Sequence, residues 1–249
     1  MPRHHHSGNA LQFSDITVRR GGSTLLDHLT FGAPVGSRIG LVGANGAGKS
    51  TLLKVAVGLA RATSGTVSWA GSAAAETRAV AFVPQGKPLY PALTPAHALV
   101  LARSLNTEDW DEEAARSWMD AFEIPLSRQC SVLSGGERTQ VAIALALGRG
   151  TPHLVLDEPF AELDPLARAD AIDLLRAVLD STGRTLLISS HLLSDIDDLC
   201  DHLMVLSRGR LTLAGTRDEI LAEHPGQSVS ETAMAAMRLH ARSGERTAS

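Results

Sequence analysis

Nine residues, 43-GANGAGKST-51, set a lysine and two hydroxyls directly behind three glycines. The chain has only three lysines, Lys49, Lys54 and Lys87, among 23 basic residues. A lysine kept at this spacing in a lysine-poor chain points to a task. Gly43 through Ser50 match G-x-x-x-x-G-K-[ST] at every fixed position. Gly43, Gly46 and Gly48 let the backbone curl so that its N–H groups, through Ala44, Asn45 and Ala47, converge on one anion. Lys49, Ser50 and Thr51 open a helix whose free N–H groups and positive dipole end face the same anion. Lys49 then carries a mobile charge to the outer phosphates, and the Ser50 hydroxyl is a ligand for Mg²⁺. The expected ligand is a nucleoside triphosphate with magnesium.

Phosphoryl transfer also needs a metal tether and a group that orients the attacking water. In 153-HLVLDEP-159 an apolar strand runs into two carboxylates. Asp157 is expected to hold Mg²⁺ directly or through water, and Glu158 to act as general base, at the strand end where α/β sheets bind ligands. Gln85, in the Pro-rich 84-PQGKPLYP-91, offers an amide to Mg²⁺ or to the water. His191, behind the apolar strand 185-TLLIS-189, offers a ring to a γ-phosphate. Each of these two, taken alone, fits a structural role as well. In 133-LSGGE-137, Ser134, Gly135 and Gly136 begin another helix and make a second anion-binding device. Two such helix starts serve either one nucleotide or a nucleotide held by another molecule.

The elements that must carry these residues alternate between strand and helix. A strand at 38–42 and a helix at 52–60 flank the glycine-rich loop. Residues 11–20 and 23–31 read as strands joined at Gly21–Gly22, and 64–71 and 79–85 as two more. From Thr94 to Phe122 the pattern is helical. Thr94–Pro95 is a good helix start, and 107-TEDWDEEAARSWMDAF-122 has an acidic first turn with Trp110, Ala114, Trp118 and Phe122 spaced along one face as packing residues. A helix at 137–148, the strand at 153–159, a helix at 165–180, a strand at 185–189, a helix at 193–200 and strands at 202–207 and 210–215 follow. This is the order of an α/β core built on parallel strands. Beyond residue 225 the chain is Ser-, Ala- and Arg-rich, with one amphipathic helix expected at 230–243.

Composition narrows the function. The 249 residues are 44% hydrophobic and carry a net charge of −4, which argues against nucleic acid as the main partner. Cys130 and Cys200 have no metal-ligand neighbours and are expected to stay reduced, as in the cytosol. No apolar run approaches the ~20 residues of a membrane span. The opening MPRHHHSGN lacks the apolar stretch of a secretion signal, and its histidines read as a short lead or cloning remnant.

Taken in order, GANGAGKST, Gln85, LSGGE, LVLDEP, 161-AELD-164 and His191 resemble the ATP-binding cassette (ABC) ATPases, the nucleotide-binding subunits of ABC transporters, across residues 11–224. The resemblance implies a P-loop NTPase (RecA-like) α/β core, its mixed sheet covered by helices on both faces, with an antiparallel β part at the N-terminus. It further implies a helical subdomain inserted at about 86–136 and a C-terminal tail at 225–249. Two subunits of such a family stack head to tail, so that each LSGGE closes over ATP held by the other's phosphate loop. Two positions depart from the family pattern. Glu137 stands where glutamine is usual, so phosphate repulsion is expected to alter closure. Arg20 stands where an aromatic ring usually stacks on adenine; a guanidinium stacks too, worth about 0.5–1 kcal/mol at a wet site, so base recognition is expected to be loose. The implied activity is ATP hydrolysis that drives a separate membrane permease from the cytoplasmic face, with the exporter branch favoured by 88-PLYPALTPAHAL-99 and 188–220. The alternatives are a soluble cassette ATPase acting on ribosomes or nucleic acid, and a small GTPase. The first usually carries two cassettes or basic insertions, and the second needs Asn-Lys-x-Asp, which is absent from the sequence.

Overall fold

The computed structural model describes residues 9–74, 78–197 and 199–243, the last five of these as backbone only. The histidine lead at 4–6 and the end of the tail at 244–249 lie outside the described residues. The chain forms two compact units. One is built from both ends, residues up to 77 and from 185 onward, and the other from residues 78–184.

The first unit opens with β1 (Asn9–Arg20) and β2 (Ser23–Pro34), paired antiparallel around Gly21 and Gly22, whose φ of 56° and 80° supply the left-handed turn expected there. Leu11, Phe13, Ile16 and Val18 of β1 are buried. Next come β3 (Arg38–Val42), α1 (Lys49–Ala56), β4 (Ser64–Trp69) and the short β5 (Ser72–Ala73). Strands β2, β1, β4 and β5 lie in that order in one antiparallel sheet.

In the second unit β6 (Val80–Val83) leads to α2 (Pro95–Leu105), where Thr94 caps the helix by accepting from His97 N. Helix α3 (Glu112–Ala121) starts later than the sequence pattern implies. Asp111 is its N-cap, and Trp110 lies outside the helix, packed so closely on Gly148 that no Cβ fits there. The face α3 buries is Ala115, Trp118 and Met119 rather than a stripe through Ala114. The Trp118 and Phe122 rings pack 5.3 Å apart. A 3₁₀ turn at Cys130–Val132, α4 (Gly135–Gly148), β7 (His153–Asp157) and α5 (Pro165–Thr182) complete this unit, with β6 and β7 paired parallel. Every residue of β7 is buried, as a parallel strand covered on both faces requires.

The chain returns to the first unit with β8 (Thr185–Ser190), α6 (Leu193–Asp197), β9 (His202–Ser207) and β10 (Arg210–Thr216). Within this unit the order β10–β9–β3–β8 places β3 between two parallel partners, while β9 and β10 form a hairpin. A helix absent from the elements read above, α7 (Arg217–Glu223), begins at a reciprocal capping box between Thr216 and Glu219. The tail helix α8 runs from Val229 to Ser243 and buries Val229, Thr232 and Ala233. Both cysteines are free and buried, and burial raises both thiol pKa values. Among the described residues no helix is long and apolar enough to cross a membrane.

Candidate functional site

In the first unit the glycine-rich loop joins β3 to α1 and is fixed from outside. A Cβ on Gly43 would strike the Leu206 carbonyl, so only glycine lets β9 approach this closely. Gly209 N donates to Ala47 O at 2.9 Å, and Ala47 N donates to Ala44 O at 3.1 Å. Gly48 sits at φ 108° as the N-cap of α1, and no side chain caps that helix. The first-turn N–H groups therefore open onto the loop. Ala44, Asn45 and Gly46 are exposed, Ser50 and Thr51 half-buried, and Lys49 is buried. Lys49 Nζ donates to Gly43 O at 2.8 Å and, more weakly, to Ala44 O at 3.5 Å. An uncapped helix start with an ammonium folded over it fits a phosphate. The hydroxyl, amide and carboxylate chemistry of Ser50, Gln85 and Asp157 is that of hard oxygen donors, which suits Mg²⁺.

Two further residues named above lie in this unit. Arg20 is exposed at the end of β1. His191 is exposed just past β8, in a turn locked by Ser190, whose Oγ donates to Asp195 Oδ2 at 2.8 Å and accepts from Leu192 N at 3.0 Å.

The second unit holds Asp157, Glu158, Gln85 and the LSGGE segment. Asp157 ends β7, almost fully buried, and Glu158 follows it, also buried. Glu158 has φ 50°, a left-handed backbone that costs a non-glycine residue about 1–2 kcal/mol. It turns the chain out of the strand into 158–163, which closes through Ala161 N to Glu158 O and Leu163 N to Phe160 O. Asp164 then caps α5, accepting from Leu166 N and Ala167 N. Gln85 is exposed.

At the start of α4, Ser134 and Glu137 form a reciprocal capping box. Ser134 N donates to Glu137 Oε2 at 2.7 Å, and Glu137 N donates to Ser134 Oγ at 3.1 Å. The carboxylate expected to repel phosphate is thus turned back on its own helix start. A cavity of about 390 Å³ opens here, lined by Ser134, Gly135, Gly136, Glu137, Glu162 and Asp164 among others. Gln140 also lines it. Its Oε1 accepts from Trp118 Nε1 at 2.8 Å, while its Nε2 has no partner among the described residues. One contact had no sequence signal at all. Lys87 Nζ donates to Glu162 Oε1 at 2.9 Å across 75 residues of chain.

The ABC transporter family model matches residues 26–161, more than half of the chain. The chain belongs to the ABC transporter ATP-binding family. This cassette is 35% identical over 222 residues to the thiamine import ATP-binding protein ThiQ of Jannaschia sp., spanning 86% of this chain and 96% of that one. It is 34% identical to the Nod factor export ATP-binding protein I of Burkholderia orbicola, covering 89% of this chain and 75% of the relative. Among solved structures, an ATP-binding subunit of an ABC transporter superposes with a TM-score of 0.81 at 28% identity, over 91% of this chain and 99% of that one. A dimeric post-hydrolysis cassette bound to ADP and Pi shares the fold, with a TM-score of 0.74 at 21% identity over 83% of this chain and 98% of its own. The cassette is an ATPase that binds ATP with Mg²⁺, and its P-loop NTPase fold is the one the motif order implies.

Proposed function

We propose that this cassette hydrolyses ATP as one half of a head-to-tail pair and so powers a separate membrane permease, with export as the direction. The phosphate loop carries this reading, because its buried lysine and uncapped helix start are built for a triphosphate. Lys49 and the loop amides hold the β- and γ-phosphates, with Ser50, Asp157 and Gln85 as the magnesium ligands. Bound there, Mg²⁺ neutralises charge on the γ-phosphate oxygens. Glu158 takes a proton from water as the water oxygen bonds to the γ-phosphorus and the bond to ADP breaks. Gln85 positions that water, and His191 contacts the γ-phosphate. Ser134, Gly135 and Gly136 close over the partner cassette's ATP. Residues 11–224 form the cassette, 86–136 the helical subdomain that meets the permease, and 225–249 a tail.

A groove of about 260 Å³ supports the permease docking surface. It is lined by Leu89, Tyr90, Leu93, Leu101 and Leu105 among others. Tyr90 is 69% exposed and Leu105 74%, more than packing within the unit accounts for. The permease would place the cassette at the cytoplasmic face of the membrane. Co-reconstitution with a neighbouring reading frame of about six ~20-residue spans tests the class, and the side of the vesicle on which cargo accumulates tests the direction. Accumulation that follows the import direction would replace export, a reading that the similarity to the thiamine import protein favours. Tyr90→Asp is expected to leave basal hydrolysis of the purified cassette within about twofold and to abolish its stimulation by the permease, since a charge on an exposed lining residue of the groove blocks docking. A variant that stimulates normally would remove the groove from the interface.

Arg20 is assigned to the adenine. Arg20→Tyr should tighten ATP over GTP by at most about tenfold, because a flat ring replaces a hydrated guanidinium on the base. Competition titrations with both nucleotides read this. A loss of ATP affinity would show that Arg20 contacts another part of the nucleotide.

A further inference from the structure

We propose that the Lys87–Glu162 ion pair sets how readily the LSGGE cradle accepts a partner cassette's triphosphate, with Lys87 as the counterion that makes the cradle passable. The proposal rests on the head-to-tail reading above. Lys87 and Glu162 are positioning residues, acting through charge and not through the reacting atoms.

The groups involved all belong to the second unit. The Lys87 side chain is 3% exposed and its Nζ lies 2.9 Å from Glu162 Oε1, whereas the Glu162 side chain is 44% exposed. An ammonium buried this deeply requires such a partner. Lys87 is also held at φ 41°, a left-handed turn closed by its own N–H on Pro84 O. The loop carrying Gln85 is therefore bent so that the lysine points inward.

The other Glu162 oxygen bears on Gly135, the first residue of α4, so closely that a Cβ on Gly135 would collide with it. A carboxylate at a helix N-terminus is held by the same dipole that would hold a phosphate. Glu162 therefore stands where it meets any anion entering the cradle. Among the described residues the cavity there is lined by three carboxylates, Glu137, Glu162 and Asp164, and by no basic side chain. Glu137 is turned onto Ser134 N, and Asp164 onto Leu166 N and Ala167 N. Glu162 alone of the three relies on a cation for its neutralisation.

Lys87 also lines the groove assigned to the permease, beside Leu89 and Tyr90. One side chain therefore borders the docking groove and compensates the charge at the cradle. A permease segment that displaces Lys87 bares Glu162 and disfavours the closed pair, and one that leaves it seated favours closure.

The test uses the full chain carrying Glu158→Gln, with ATP-dependent dimerisation measured by sedimentation velocity over a dilution series. Lys87→Met keeps the side-chain length and removes the charge. The dimer dissociation constant should rise at least about tenfold, since an uncompensated like charge then faces phosphate. Binding of a fluorescent ATP analogue to the monomer should not change. Adding Glu162→Gln to Lys87→Met should restore the dimer to within about threefold of the parent, and Glu162→Gln alone should tighten it by about threefold or more. A weakening that Glu162→Gln does not rescue means Lys87 acts by packing and overturns the proposal. If Lys87→Met does not fold, Glu162→Gln alone decides, and an unchanged dimer overturns it. Equal dimers in all four chains defeat the proposal but keep the head-to-tail reading. A parent chain that stays monomeric with ATP, even with Glu137→Gln added, defeats both.

Discussion

Replacing Glu158 with glutamine is expected to slow ATP turnover by roughly 10²–10⁴-fold, the usual loss when a general base is removed, while ATP still binds. The amide keeps the size of the side chain and the φ 50° backbone that aims it, but it cannot take a proton from water. With hydrolysis blocked, nothing dissolves the closed pair. Size-exclusion chromatography should then show a dimer with ATP and mostly monomer without it. Each ATP in that dimer is gripped by Lys49 of one chain and by Ser134, Gly135 and Gly136 of the other. Ser134→Arg in the same chain should abolish the dimer, because its bulk and charge fill the cradle. A dimer indifferent to ATP, or one that survives Ser134→Arg, would falsify closure of LSGGE over the partner's nucleotide. Glu137→Gln is the matched control. A glutamine Oε accepts from Ser134 N as the carboxylate now does at 2.7 Å, so the capping box survives while the charge is removed.

Much of this arrangement is readable from the chain itself. Strands β3, β7 and β8 each carry a short apolar run that leads into glycine, carboxylates or serine, and a parallel strand buried on both faces has that composition. Thr94–Pro95 and Gly21–Gly22 act through local backbone chemistry, so α2 and the first hairpin begin where the residues say. The start of α3 follows a different cause. Trp110 is drawn out of the helix by packing on Gly148, a contact 38 positions away that no local pattern contains, and Asp111 becomes the cap. Helix α7 does carry a Thr-x-x-Glu start at 216–219, but it is short and follows a strand without a break. The left-handed turn at Glu158 has no signature, since glutamate does not favour that region and the surrounding structure imposes it. The LSGGE helix start is legible, whereas the Lys87–Glu162 pair beside it exists only after folding.

Lys49→Ala should lower ATP affinity by roughly tenfold to a hundredfold or more, because a hydrogen bond from a charged donor contributes about 1.5–3 kcal/mol and the proposed role gives this ammonium two phosphates to hold. Titration with a fluorescent ATP analogue measures the loss, and unchanged affinity would refute the phosphate-loop assignment. The loop itself should keep its shape. Gly209 N on Ala47 O and Ala47 N on Ala44 O remain, and only the Lys49 Nζ bonds to Gly43 O and Ala44 O are lost. The melting temperature is therefore expected to move by only a few degrees, which separates a binding defect from unfolding. No other lysine substitutes, since Lys54 faces solvent on α1 and Lys87 is engaged by Glu162.

The first unit is assembled from two segments that flank the second, up to residue 77 and from 185 onward, and this orders events during synthesis. Strand β3 pairs with β8 and β9, neither of which has been made when β3 leaves the ribosome. At about 5–20 residues per second, β3 waits roughly 7–30 s with both edges open, while β1 and β2 can pair almost at once. The residues that fix the phosphate loop from outside, Leu206 and Gly209, are later still. A truncated product that stops short of them carries the whole GANGAGKST segment and lacks the framework that shapes it. ATP binding is thereby tied to synthesis of β9 and the turn after it, and a chain that stops before Gly209 is expected to hold nucleotide poorly.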